Sequence, residues 1–97
     1  MTTERQTSVT TKIKLPSLYR VVLHNDDKTP FDFVIELIII LFNKSYSEAT
    51  QLAYKIHNEG SAVCGVYSKD IAETKVKYIE RAASQYGYPL KSTMEVH

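Results

Sequence analysis

From Leu18 the chain alternates, with Tyr19, Val21 and Leu23 on one side and Arg20, Val22 and His24 on the other. A period of two with one more apolar face predicts a half-buried strand. A polar run, Asn25-Asp26-Asp27-Lys28-Thr29-Pro30, then separates it from Phe33 to Phe42, where Glu36 is the only polar side chain. The apolar run is rich in β-branched residues, and by composition it fits a buried strand. Its length and its Thr29-Pro30 start favour a helix buried on most sides. Thr29 is the expected N-cap, Pro30 the first helical residue, and Asp32 the third-position acid that suits the helix dipole. Asn43 and Lys44 end the run.

Ser45 with Glu48 three residues on makes a capping box for a second helix, with Ser47 as a rival cap. Ala49, Leu52, Ala53 and Ile56 recur at helical spacing, and Gly60 is the expected stop. Ser61 to Tyr67 reads as a second strand, whose small Ala62, Cys64 and Gly65 leave room for close packing. Ser68 and Asp70 open a third helix carried by Ala72, Val76, Ile79, Ala83 and Tyr86 and stopped by Gly87 and Pro89. Leu90, Ser92, Met94 and Val96 alternate with Lys91, Thr93, Glu95 and His97, which predicts a closing strand with one charged side.

The order is β-α-α-β-α-β. Its natural closure is an α+β domain: a three-stranded antiparallel sheet with three helices packed on one face. Met1 to Lys14 is polar and Thr-rich, with only Val9 and Ile13 as sizeable aliphatics after Met1. Such a segment buries too little surface to offset ordering entropy. Residues 1–16 are therefore expected to be a flexible N-terminal extension, and 17–97 the folded domain.

Composition narrows the functional classes. Ninety-seven residues make one domain, and 43% hydrophobic content supports a small core. The net charge is +1 and the 12 basic residues are scattered, which argues against a nucleic-acid partner or an electrostatic membrane dock. Phe33 to Phe42 is too short to span a bilayer. The lone Cys64 cannot form an internal disulfide, and the N-terminus lacks an apolar signal stretch, so a cytoplasmic location is expected.

The candidate chemistry gathers around the polar turn. Two carboxylates and a carboxamide stand where a strand hands over to a helix, an arrangement that suits a cationic ligand. The same residue types also make ordinary turns. On the second helix Ala53, Ile56 and His57 share one face, and Phe31 and Val34 lie just past the turn. Packed side by side, these five would line one apolar pocket with Asn25 and the aspartates at its mouth. Alternatively, His57 is a solvated histidine at a helix C-terminus, where the dipole favours its charge. His24, His57, His97 and Cys64 lack metal-ligand spacing, and the 3 glycines make no phosphate loop. Asp26, Asp27 and His57 could act as an acid–base site, but no nucleophile or metal accompanies them. A binding module without cofactor or metal is the better reading.

Together, Asn25-Asp26-Asp27-Lys28-Thr29-Pro30, Ala49-Thr50-Gln51-Leu52 leading to His57, Cys64-Gly65-Val66 and Ala72-Glu73-Thr74-Lys75 resemble the ClpS family in order and approximate spacing. The resemblance runs from Leu18 to the C-terminus. It implies a non-enzymatic, monomeric adaptor that binds N-degron proteins, those with a free bulky hydrophobic N-terminal residue (Leu, Phe, Tyr or Trp). It would deliver them to the N-terminal domain of a ClpA- or ClpC-type AAA+ unfoldase, in the cytoplasm or, in a photosynthetic eukaryote, the plastid stroma. By this resemblance Asn25, Asp27 and His57 grip the substrate α-amino group and Asp26 shapes that site. Thr29, Phe31, Val34, Ala53, Ile56 and Leu90 match the side-chain pocket. Asp70, Glu73 and Lys75 match the unfoldase contact, and the N-terminal extension matches a segment implicated in hand-off. The rival on a similar fold is a plain protein–protein module like the ribosomal stalk domain, which needs neither the Asn-Asp-Asp mouth nor His57.

An α-ammonium presents three donors, and its pKa of about 8 keeps it mostly charged at neutral pH. His57 can accept from it only when unprotonated, so binding is expected to weaken below about pH 6. Many family members carry Met where this chain has Phe31 and Ala53. The pocket is therefore expected to keep its volume and change its shape, altering the ranking of accepted residues and admitting Ile or Val beside Ala53.

Overall fold

The computed structural model describes residues 16–97, so nearly all of the expected N-terminal extension lies outside the described residues. Strand β1 (Leu18–His24) is followed by helices α1 (Phe31–Phe42) and α2 (Tyr46–Glu59), strand β2 (Ser61–Ser68), helix α3 (Lys69–Gln85) and strand β3 (Lys91–Val96). The sheet order is β2-β1-β3 with both pairings antiparallel. The predicted α+β architecture is therefore the observed one. No helix among the described residues is long and apolar enough to cross a membrane.

The core lies between the sheet and the helices. Val21 and Leu23 from the central strand meet Ile38 of α1 and Ile79 of α3, all fully buried. Ala49, Ala53 and Ile56 supply the apolar stripe of α2. On the other face of the sheet, Arg20 pairs with Glu95 at 3.4 Å across β1 and β3. Val22 is buried there as well, with Val63 and Thr93 directly across from it.

Strand β2 carries an irregularity that simple alternation does not contain. Val21 pairs with Gly65 and Val22 with Val63, leaving Cys64 as the extra residue of a β-bulge. The bulge shifts the phase, so Ala62, Cys64 and Tyr67 all face the core despite the odd spacing of the last two. A Cβ at Gly65 would lie 2.6 Å from ring atoms of Tyr67, so any larger residue there would displace that ring. That ring folds back over the strand and reaches Phe42, with centroids 6.2 Å apart.

Helix α1 begins one residue later than its sequence signal suggests. Pro30 is the N-cap and Asp32 the second helical residue, and no side chain caps the helix. The Thr29 hydroxyl is turned the other way, donating to Asp26 Oδ2 at 2.7 Å. The start is held instead by the Pro30 carbonyl, which accepts from Phe33 and Val34 N–H at 3.1 and 3.3 Å. At the other end Asn43 takes a left-handed conformation, φ 54°. The last turn of α1 lacks a basic residue of its own. Lys75 of α3 supplies one, its ammonium donating to Leu41 O at 2.7 Å and lying 4.8 Å from the Tyr67 ring centroid.

The α2 start matches expectation, and Ser45 prevails over Ser47. Glu48 N–H donates to Ser45 Oγ at 3.1 Å, and Ser45 N–H to Glu48 Oε1 at 3.0 Å. Helix α3 ends at Gln85, and the chain turns away at Gly87, φ 72°, with Tyr88 N–H returning to Ala83 O at 2.9 Å. Tyr86 does not join the core as its spacing suggested. It is 65% exposed and packs against Phe33 and Tyr88 on the outer surface.

Candidate functional site

The polar turn and the end of α2 are tied together by backbone. Gly60, with φ 94°, turns the chain out of α2 into β2. Its carbonyl accepts Asn25 N–H at 2.8 Å. One hydrogen bond thus places the turn after β1 beside the last turn of α2, the turn that carries His57. Helix α1 leaves that same turn, so Phe31 and Val34 face Ala53 and Ile56 across the α1–α2 seam.

Asp26 organises the turn from within. Its Oδ1 accepts Lys28 N–H at 2.8 Å and Thr29 N–H at 2.7 Å, while Oδ2 takes the Thr29 hydroxyl. Burial acts to raise its pKa, but these hydrogen bonds, led by the Thr29 hydroxyl, outweigh it and hold the carboxyl below its ordinary value. Both Asp26 oxygens are therefore engaged in shaping the turn. Asn25 and Asp27 are exposed, and among the described residues their side chains have no hydrogen-bond partner.

A cavity of about 310 Å³ opens here, lined by His24, Asn25, Asp26, Asp27, Thr29, Phe31, Val34, Ala53, Ile56, His57 and Leu90. Its wall residues Val34, Ala53, Ile56 and Leu90 are buried, and its polar groups stand at one end of the chain's core. The volume lies at the low end of small-ligand sites, about 300–1,000 Å³, which suits a single side chain better than an extended peptide. Asparagine, aspartate and histidine beside an apolar well offer acceptors to a cation that carries a hydrophobic group.

The structure brings together all ten residues expected at the α-amino site and the side-chain pocket. It adds His24, which sequence reasoning passed over as an outward strand residue. His24 Nε2 lies 2.8 Å from Thr93 Oγ1 on β3, which fixes the ring at the cavity edge. Its position directly before Asn25 was the available signal. Among the described residues no group of three or more His, Cys, Asp or Glu side chains is placed to hold a metal ion.

Comparison with known proteins decides the family. Residues 14–93 match the model of the family described as "ATP-dependent Clp protease adaptor protein ClpS". The chain belongs to the ClpS family. It is 51% identical over 84 residues to the ATP-dependent Clp protease adapter protein ClpS of Paraburkholderia xenovorans, covering 87% of this chain and 81% of that one. The ClpS of Helicobacter hepaticus is 46% identical over 90 residues, covering 93% and 91%. Among solved structures, Agrobacterium tumefaciens ClpS2 bound to L-phenylalaninamide superposes with a TM-score of 0.83 at 38% identity. That match spans 86% of this chain and all of the other.

The second predicted surface lies elsewhere on this ClpS domain. Asp70 and Glu73 are exposed on the first turns of α3. Lys75 is half-buried, and its ammonium already serves Leu41 O. The structure thus leaves two exposed carboxylates there, beside the exposed Ile71.

Proposed function

We propose that this ClpS protein is a substrate adaptor for a Clp protease, reading a free, bulky hydrophobic N-terminal residue and handing its bearer to the unfoldase. The observation that carries the reading is the cavity that joins acceptor groups to apolar walls. Only a chain terminus presents a cationic amine and a hydrophobic side chain on one residue. Asn25, Asp27 and His57 take the ammonium, Asp26 keeps their turn in shape, and Thr29, Phe31, Val34, Ala53, Ile56 and Leu90 surround the side chain. L-Phenylalaninamide, the ligand of the Agrobacterium relative, combines a free α-amine and a benzyl group with an amide where a peptide would continue. It has the chemistry of a phenylalanine at a chain's N-terminus.

Magnitudes agree with this role. Hydrogen bonds to a charged group contribute roughly 1.5–3 kcal/mol each, and burial of a Leu or Phe side chain about 1.5–3 kcal/mol. After the cost of association these sum to a dissociation constant on the order of micromolar. Delivery follows from docking of the α3 surface around Asp70, Glu73 and Lys75 on the unfoldase N-terminal domain, in the cytoplasm.

Titration with a fluorescent peptide beginning in free Phe or Leu tests recognition directly. Binding should disappear for the N-acetylated peptide, which has lost its charge, and for the Ala-started one, which leaves the cavity empty. Equal binding of the acetylated and free peptides would refute recognition of the terminus.

A further inference from the structure

Phe31, the first residue of α1, lines the cavity and is only half-buried. Its ring also meets the ring of Tyr54 on α2, with centroids 4.8 Å apart and planes inclined at 56°. Tyr54 does not line the cavity and is 55% exposed. The preceding residue, Ala53, does line it and is 2% exposed. Successive helical residues point in different directions. Ala53 thus faces the cavity with a methyl group, and Tyr54 reaches over the α1–α2 seam to press on Phe31 from outside.

We infer that Tyr54 is a positioning residue for specificity, holding the Phe31 ring in one rotamer as a fixed aromatic wall of the cavity. The inference rests on the reading that the cavity takes an N-terminal side chain, and it names the class favoured there: aromatic over aliphatic. A phenyl ring at the open end of a helix has several staggered wells to choose among. Contact with Tyr54 singles out one of them, because swinging Phe31 into solvent forfeits the aromatic pair. A fixed ring offers an incoming Phe or Tyr side chain a tilted or edge-to-face partner. Aromatic pairs gain more than their buried area alone supplies. A Leu side chain gains only burial. Ala53, reduced to a methyl, has no ring or long chain to compete with Phe31 for that contact.

Peptides identical except for an initial Phe or Leu, titrated against wild type, Tyr54→Ala, Tyr54→Leu and Tyr54→Phe, test this. Tyr54→Ala should weaken the Phe peptide about three- to tenfold and the Leu peptide less than about twofold, collapsing the preference. Tyr54→Phe should keep the wild-type preference, since the ring and not the hydroxyl makes the contact. Tyr54→Leu should behave as Tyr54→Ala, because apolar cover without a ring does not restore the aromatic pair. Equal weakening of both peptides in Tyr54→Ala, no change in it, or a wild-type preference in Tyr54→Leu would each overturn the inference. Thermal melts of the variants separate these outcomes from misfolding, which the exposure of Tyr54 argues against. Failure of the wild-type protein to bind either peptide would strike the recognition reading first, and this inference with it.

Discussion

Asp26 shows how one carboxylate can organise a turn through its own hydrogen bonds. Its two oxygens accept three hydrogen bonds that set the turn bearing Asn25 and Asp27. Asp26→Asn turns one of those acceptors into a donor. It should cost about 1 kcal/mol at neutral pH, less than a buried charge-assisted pair because the turn is open to water. The sign of the pH effect follows from the depressed pKa. The folded carboxyl holds its charge below the ordinary aspartate value, so its stabilisation is present above that value and fades as pH falls through the lower folded one. Urea unfolding at neutral and acid pH should therefore show the wild type losing its advantage over Asp26→Asn in acid. Cys64 behaves in the opposite sense. Burial pushes its thiol from 9.0 up to about 12, against the lowering effect of a hydrogen bond with the Leu23 backbone. The unfolded chain ionises first, so the fold loses stability from this group as pH rises past 9.0. A thiol reagent should label Cys64 slowly in the native protein and promptly in denaturant. Thr29 marks a limit of sequence reading at this scale. Thr before Pro is a sound cap signal, but the hydroxyl is turned toward Asp26 and the helix starts a residue later at Pro30, and sequence alone does not fix that side-chain orientation.

At the scale of elements, local chemistry was mostly legible. The Ser45–Glu48 box, the Gly60 stop and the helical nature of the β-branched α1 all follow from caps and periodicity. The bulge at Cys64 was not, because an extra residue in a strand has no side-chain signature until its partner's register is known. The hint was Gly65, whose missing Cβ admits the Tyr67 ring. Most of the site was readable because each half lies close to a helix end, and ends carry strong signals. His24 escaped because strand alternation counts it as an outward residue and says nothing of a cavity at the strand's end. Ser45→Ala should destabilise the domain by about 1 kcal/mol. Gly60→Ala is more instructive. A methyl would meet nothing within 4 Å, so its cost is purely that of holding φ 94° with a side chain, about 1–2 kcal/mol. Because the Gly60 carbonyl also holds Asn25, this variant should weaken peptide binding beyond what its loss of stability explains, whereas Ser45→Ala should leave binding intact. Denaturation curves and peptide titrations on the two proteins compare the effects.

Across the whole molecule, α1 is the member that connects the two candidate surfaces. Its first residue, Phe31, lines the cavity, and its penultimate one, Leu41, accepts the Lys75 ammonium of α3. At 1.5 Å per residue these positions are about 15 Å apart along the helix. No residue of α3 lines the cavity. Recognition and delivery should accordingly separate by mutation. Glu73→Ala and Asp70→Ala alter exposed carboxylates and should leave peptide affinity unchanged while reducing degradation of an N-terminal Phe reporter by the cognate Clp protease. Asp27→Asn should do the reverse. It removes a charge at the cavity mouth and should weaken peptide binding about tenfold, yet retain direct binding to the unfoldase N-terminal domain. Lys75→Ala is a poorer probe because it also strips the α1 C-terminus of its cation, adding a loss of fold stability to any loss of docking. Parallel measurements of peptide affinity, unfoldase affinity and degradation rate decide the matter. Loss of peptide binding in Glu73→Ala would show that the two surfaces are coupled through α1 and are not independent ends of it.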